Sequence, residues 1–344
     1  MTRTPLASAL AALLLAAAPS AQAAKPMVAM TTDANGLGDG SFNDGVWAGL
    51  KKAEAEGVAK VKVVEAHAMT DYVPNLSGLA EDGAGLVFGV GFLMIEQIQE
   101  AAKANPKTLY AGIDHAYMGT IPPNLIGISW KEQESGYLAG IVAGSMTLKY
   151  AKNSKLLNGK NVIGAVLGMK IPPVERYLAG YIAGAKSVNP AVDVRYIVTG
   201  TFADRAKGKE AALALVDQGA DLIIELAGLT GMGVFDAARE RKVFALGADV
   251  DQSSAAPDYV LTSALKGTTV AAYLTIKDFA AGRLKGGQNR VFGIKEGAID
   301  LAPYHQHDAI VPAAVKNLVA KAKADIASGK VKVPATLAEL GIKK

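Results

Sequence analysis

The residues with the most chemistry to offer lie in Thr31-Thr32-Asp33-Ala34-Asn35-Gly36-Leu37-Gly38-Asp39-Gly40-Ser41-Phe42-Asn43-Asp44. This loop joins an apolar run, Met27–Met30, to a helical pattern carried by Val46, Leu50 and Ala53. A glycine-rich turn between a strand and a helix can bring backbone N–H groups to a ligand, because the first amides of a helix have no partner within it. Ser41 has the type and position of a helix N-cap, and Phe42 offers a flat ring where a loop residue need not be apolar. A tight strand–helix turn with one buried phenylalanine would use the same residues for structure alone.

Other chemistries find less support. The chain has no cysteine, which removes disulfides, thiolate metal sites and a cysteine nucleophile. Among the four histidines, His305-Gln306-His307 alone has a metal-like spacing, and no further ligand accompanies it, so an exposed loop is expected. No nucleophile-elbow motif is present, and a nucleoside-hydrolase-like enzyme would need a metal-bound or base-activated water. No catalytic residue, metal site or cofactor is expected.

The elements that must position the loop begin after an export signal. Arg3 supplies a positive start, Leu6–Ala18 an apolar stretch, and Ala21-Gln22-Ala23 a small-x-small cleavage pattern, which defines residues 1–23 as a signal peptide. A chain starting at Ala24 without cysteine would be free in the periplasm and not lipid-anchored. The roughly 320 residues that remain suffice for two domains with their own cores. The net charge is +4 and half the residues are hydrophobic. The lysines are scattered without blocks of like charge, so neither nucleic acid nor a membrane surface is an expected partner.

Along this chain, strand and helix patterns alternate. Strands are expected at 61–65, 85–90, 108–113 and 125–128, with helices at 72–82, 94–104 and 132–146. A second succession places strands at 162–166, 194–198, 222–224 and 243–246 and helices at 174–187, 206–218 and 234–241. A strand at 259–265 and a helix at 270–281 follow. This βα alternation implies an α/β protein with two doubly wound, parallel-sheet lobes that meet near Ser129-Trp130-Lys131. Periodicity alone leaves open whether the chain recrosses between them. Trp47 is expected to pack inward, and Trp130 could border a cleft.

Taken together, these residues resemble the basic membrane protein family, substrate-binding proteins of ABC importers that include purine nucleoside receptors. The resemblance runs through Thr32-Asp33, Gly38–Asn43, Phe88–Met94, Tyr137–Gly140, Ile171–Arg176, Gly200–Asp204, Lys207-Gly-Lys209, Gly228–Phe235, Asp249–Gln252 and Leu261–Ser263. It also argues against reading Asp33, Asp39 and Asp44 as a calcium site. It implies a type I periplasmic-binding-protein fold with three crossings: 24–127 plus 252–289 as the first lobe, 128–251 plus 290–344 as the second, and a ligand cleft between them.

The resemblance also implies roles. Phe42 and Phe202 match aromatics that sandwich a purine, and Asp33 and Asn43 match polar positions near the base. Asp114, Asp249 and Lys266 match positions near the ribose, and Gly228 and Gly231 match backbone close to the ligand. Leu229, where a glycine is usual, and Ala248, where a valine is usual, depart from the pattern and would reshape the cleft. His115 has no matched role. The implied function is exported capture of a purine nucleoside, by a monomer working with the transmembrane and ATPase subunits of an importer. A receptor for a free base or another small polar ligand is the alternative. A ligand-sensing transcription regulator would conflict with the export signal and lacks a helix-turn-helix segment.

Overall fold

Two six-stranded sheets organise the chain, and they repeat one internal order. The computed structural model describes residues 25–342, so the export signal at 1–23 and the two terminal lysines lie outside the described residues. The first sheet is built from β1 (Met27–Thr31), β2 (Lys60–Val64), β3 (Leu86–Val90), β4 (Leu109–Ile113), β5 (Leu125–Trp130) and β11 (Gln288–Phe292), all parallel. Its order is β11-β5-β4-β3-β1-β2. The second contains β6 (Val162–Leu167), β7 (Asp193–Val198), β8 (Leu222–Leu226), β9 (Phe244–Asp249), β10 (Val260–Leu265) and the short antiparallel β12 (Asp300–Leu301). Its order is β12-β10-β9-β8-β6-β7.

Burial follows from this order. The central strands β3, β6 and β8 are covered on both faces and buried along their whole length, whereas β2 and β7 lie at sheet edges and stay partly exposed. Helices α1 (Phe42–Ala55), α2 (Tyr72–Glu81), α3 (Ile95–Ala104), α5 (Pro172–Val188), α6 (Arg205–Asp217) and α7 (Met232–Arg241) connect successive strands within the sheets. Strand β8 runs past the expected 224 because Glu225, a charged type, is itself fully buried.

The lobes are divided differently from the expectation. Strand β10 pairs with β9, so 252–265 belongs with the second sheet, and the middle crossing falls at Lys266–Gly267. Strands β5 and β11 stay in the first sheet to Trp130 and Phe292, so 128–130 and 290–292 also belong there. The reason is that a buried strand is apolar on both faces, and its composition does not reveal which sheet completes its hydrogen bonds.

Helices α4 (Glu132–Met146), α8 (Thr268–Ala280) and α9 (Ala313–Ala327) complete the molecule. The small residues of α4 permit a close approach to α5: a Cβ on Gly140 would lie 2.2 Å from the Tyr181 carbonyl. Along α9, Val315 enters the core of the second lobe, Ile326 that of the first, and Val319 touches both. The C-terminal segment therefore straps the two lobes instead of belonging to the second alone. The three residues 305–307 clamp the β9–β10 loop: His305 bonds Asp251 at 2.7 Å, Gln306 bonds Asp258 at 2.9 Å, and His307 bonds the Pro257 carbonyl at 2.8 Å. Among the described residues no group of three or more acids and histidines could hold a metal ion, and no helix is long and apolar enough to cross a membrane.

Candidate ligand-binding cleft

The C-terminal ends of strands from both sheets face one another across a cavity whose wall is drawn from both lobes, the concave setting in which small-molecule sites are found. In each lobe the chain reverses order between the first and third strands, where open α/β sheets leave a crevice. The segments after β1 and β3 meet those after β6 and β8 at this cavity.

Asp33, Phe42, Asp114, Phe202, Gly228, Asp249 and Lys266, chosen from residues scattered over the chain, all reach its wall. Asn43 and Gly231 do not. Asn43 is fully buried behind the wall, its amide donating to Asp33 Oδ1 at 2.9 Å and Asp39 Oδ2 at 3.3 Å, so it orients carboxylates. Gly231 is small because Glu225 lies beneath it: a Cβ there would fall 1.8 Å from Glu225 Oε2.

Ser41 precedes α1, but its side chain does not cap the helix. Asp39 takes that role, accepting from the N–H groups of Ser41, Asn43 and Asp44 at 3.0, 2.8 and 3.2 Å. Freed from capping, Ser41 Oγ crosses the cleft and donates to Asp249 Oδ2 at 2.9 Å. Gln252 Nε2 makes a second crossing to the Gly40 carbonyl at 3.2 Å. These bonds hold the lobes together at the cleft.

Asp114 directly follows β4 and Asp249 ends the equivalent strand β9, and both are left-handed, with φ of 68° and 65°. Non-glycine residues adopt this conformation at an energetic cost and cluster at functional sites when they do. Asp249 also faces the Tyr177 hydroxyl at 3.1 Å.

Lys266 sits at the middle crossing and is 2% exposed. Its ammonium lies 2.6 Å from Asp114 Oδ1 and 3.1 Å from Glu132 Oε1, and Glu132 in turn meets the Arg176 guanidinium. The Phe42 and Trp130 rings lie 5.0 and 5.1 Å from the ammonium. Burial opposes its charge, but the carboxylates of Asp114 and Glu132 outweigh that and hold its pKa above the ordinary value. Burial raises Asp114 to about 6 against the pull of Lys266. With two carboxylates bound, an ammonium with three donors has one left for the cavity. Trp130 itself is core, stacked near Phe292.

The three crossings converge here. Lys131 N–H donates to the Phe292 carbonyl at 2.8 Å, and Ile294 N–H to Glu134 at 2.7 Å. His115 is buried, its Nε2 2.8 Å from the Gly91 carbonyl and its Nδ1 2.7 Å from the Tyr117 hydroxyl. It ties the turn after β3, which lines the cavity, to the left-handed Asp114 beside it. Burial lowers its pKa to about 4, so the ring is neutral at ordinary pH.

The wall includes residues that sequence reasoning passed over, chiefly Asp39, Phe92 and Tyr177. Phe92 follows its strand much as Phe42 and Phe202 follow theirs, which was a usable signal. Tyr177 is one turn inside a helix, and nothing local marks it as facing a cleft.

Glu225 is fully buried, and its Oε2 accepts from Ala227 N–H at 3.0 Å. Burial pushes its carboxyl from 4.5 up to about 8. The folded state then holds a proton that the unfolded state has lost, so stability falls as pH rises through the interval between those values. Glu225→Gln is expected to flatten the fall in melting temperature between about pH 5 and pH 8. An unchanged slope in a thermal-melt series would show that the acid is already ionised when folded.

Two parallel-sheet lobes, three crossings and a polar, aromatic-lined cleft between strand ends define a solute-binding protein. The family of PnrA-like ABC transporter substrate-binding proteins, Bmp, matches residues 26–336, and the chain belongs to it. The ABC transporter nucleoside-binding protein BmpA of Lactococcus lactis subsp. cremoris is 33% identical over 333 residues, covering 89% of this chain and 88% of that one. An uncharacterized lipoprotein of Pyrococcus horikoshii is 35% identical over 283 residues, covering 79% of this chain and 67% of its own length. An ABC transporter solute-binding protein from Aeropyrum pernix K1 aligns with a TM-score of 0.82 at 29% identity, covering 90% of this chain and 94% of that one. The Lactococcus and Aeropyrum proteins are named as binding proteins of ABC transporters, and substrate-binding proteins of this kind bind small ligands and work with transporter subunits.

Proposed function

We propose that the protein captures a purine nucleoside outside the cytoplasm and delivers it to an ABC importer without changing it. The observation that carries this reading is the pairing within one cavity of aromatic rings from opposite lobes, Phe42 and Phe202, with Asp114, Asp249 and Lys266. Aromatic faces suit a flat, neutral base, and carboxylates and an ammonium suit ribose hydroxyls. Asp33, oriented by Asn43, faces the base; burial raises its pKa and the Asn43 bond moderates the rise. The nucleoside-binding name of the Lactococcus relative supports the same ligand class.

In this reading a signal peptide is removed after residue 23. The monomer is free in the periplasm without a lipid anchor, unlike the Pyrococcus protein named a lipoprotein, and it meets the membrane and ATPase subunits of the importer when closed. Ligand contacts from both lobes add to the Ser41–Asp249 and Gln252–Gly40 bonds and favour that closed state.

Calorimetry with guanosine, inosine, adenosine and their free bases tests the reading. A nucleoside is expected to bind at least ~100-fold more tightly than its base, because hydrogen bonds to charged groups contribute about 1.5–3 kcal/mol each. Chromatography of the same mixtures is expected to return intact nucleoside. Equal affinities would favour a base receptor, and protein-dependent release of base would make the protein a hydrolase.

A further inference from the structure

We propose that Arg176 is a positioning residue for Lys266: acting through Glu132, it fixes where the ammonium stands at the floor of the cleft, and so how well the cleft holds its ligand. The ligand class rests on the nucleoside reading, whereas the placement of the lysine does not. Arg176 closes the Ile171–Arg176 motif, and no role in the cleft has yet been given to it. Among the described residues that line the cavity, Lys266 is the one cation and Arg176 is absent. Any effect of Arg176 on the ligand must therefore pass through other side chains.

Such a path is present. Arg176 Nε donates to Glu132 Oε2. Glu132 Oε1 lies 3.1 Å from Lys266 Nζ, and the Asp114 oxygens take the same ammonium at 2.6 and 2.8 Å. The signs alternate along this row, and two cations balance two anions. It runs from α5 and α4 through the middle crossing to the residue after β4, so elements of both lobes hold the lysine. Burial works against the Arg176 charge, but Glu132 and, beyond it, Asp114 hold its pKa above the ordinary value.

Glycines bring the two helices close enough for the first link. A Cβ on Gly136 would fall 2.2 Å from the Tyr177 carbonyl, and one on Gly180 would fall 2.0 Å from the Gln133 carbonyl. Tyr177 and Gln133 are the chain neighbours of Arg176 and Glu132. The Glu132 side chain is fully buried, and that of Arg176 is 22% exposed. A buried carboxylate must keep its charge partners, and this one has a cation at each oxygen. Without Arg176, Glu132 would compete with Asp114 for Lys266 alone. A lysine ammonium is a point charge on a flexible stem, so the carboxylates around it decide its place. Arginine suits the far end of the row, because its planar fork stays charged and orients the carboxylate it meets.

The test combines calorimetry, using guanosine and guanine, with the NMR signal of the Lys266 ε-methylene, identified by its loss in Lys266→Arg. The Phe42 and Trp130 rings, 5.0 and 5.1 Å from the ammonium, make that signal sensitive to position. Arg176→Met is expected to displace the signal and to weaken guanosine binding about tenfold, with a smaller loss for guanine. Arg176→Lys returns the charge without the fork and is expected to recover part of both. In a Glu132→Gln background, Arg176→Met is expected to add no further loss, since the link is already cut. An unmoved signal in folded Arg176→Met would overturn the proposal and leave Arg176 a strut between α4 and α5. A displaced signal with parental guanosine affinity would overturn its role in binding. If Arg176→Met does not fold, Glu132→Gln carries the test, and a parental signal and affinity there would overturn the proposal equally. If the parent binds no nucleoside, the functional reading falls and the NMR signal alone decides: displacement by Arg176→Met upholds the positioning role, and an unmoved signal overturns it.

Discussion

Replacing Lys266 by methionine is expected to destabilise the protein by about 3–5 kcal/mol and to abolish measurable nucleoside binding, because it removes the cation between two buried carboxylates. Glu132 keeps Arg176 as a partner, but Asp114 loses the ammonium 2.6 Å away. In a chain of this size the loss corresponds to a melting temperature lower by roughly 4–8 °C. Asp114 can escape the cost by taking up a proton. Its folded pKa, already raised to about 6 by burial, would rise further without Lys266. A folded pKa above the unfolded one adds stability at low pH that is lost as pH rises, so the variant should regain stability on acidification. Asp114→Asn in the Lys266→Met background should restore part of the melting temperature at neutral pH. A Lys266→Met protein with parental melting temperature and affinity at pH 7 would refute the view that this pair holds the floor of the cleft.

The second large effect is expected at the aromatic walls. Phe42→Ala or Phe202→Ala should weaken nucleoside binding by about 1–3 kcal/mol, roughly ten- to a hundredfold. Both rings are partly exposed in the cleft, so stability should change less than for a fully buried phenylalanine, whose truncation costs about 3–5 kcal/mol. The two rings are held differently. Phe42 opens α1 beside Lys266, and Phe202 lies against Gly168, where a Cβ would come within 2.2 Å of its ring. Parental affinity in both variants by calorimetry would remove the sandwich from the account. A large fall in melting temperature with affinity retained would mean that the rings act as core.

Much of this was legible in the residues. Alternating buried strands and amphipathic helices set the two-lobed α/β class, and α4 falls at Glu132–Met146 as its small-residue pattern implied. Seven of the nine expected site residues reach one cavity wall, because the matched motifs fall at strand ends, where this topology exposes loops. The short β11 and β12 and the helix α9 were not anticipated. The first is partly polar at a sheet edge, the second has two residues, and the third presents few buried positions.

What the sequence determined by itself was local: the periodicity that makes each element, the glycines and acids at its end, and the order in which elements occur. What the tertiary structure decided was pairing. It sent β10 to the second sheet, since a strand buried on both faces satisfies its backbone equally well beside several neighbours. It made Asp39 the cap of α1 and turned Ser41 across the cleft, because competing acceptors are ranked by distances that composition does not contain. It buried Lys266 between Asp114 and Glu132, groups more than a hundred residues away along the chain. A lysine's type permits either a solvated surface or a buried ion pair, and the converging backbone crossings select between them.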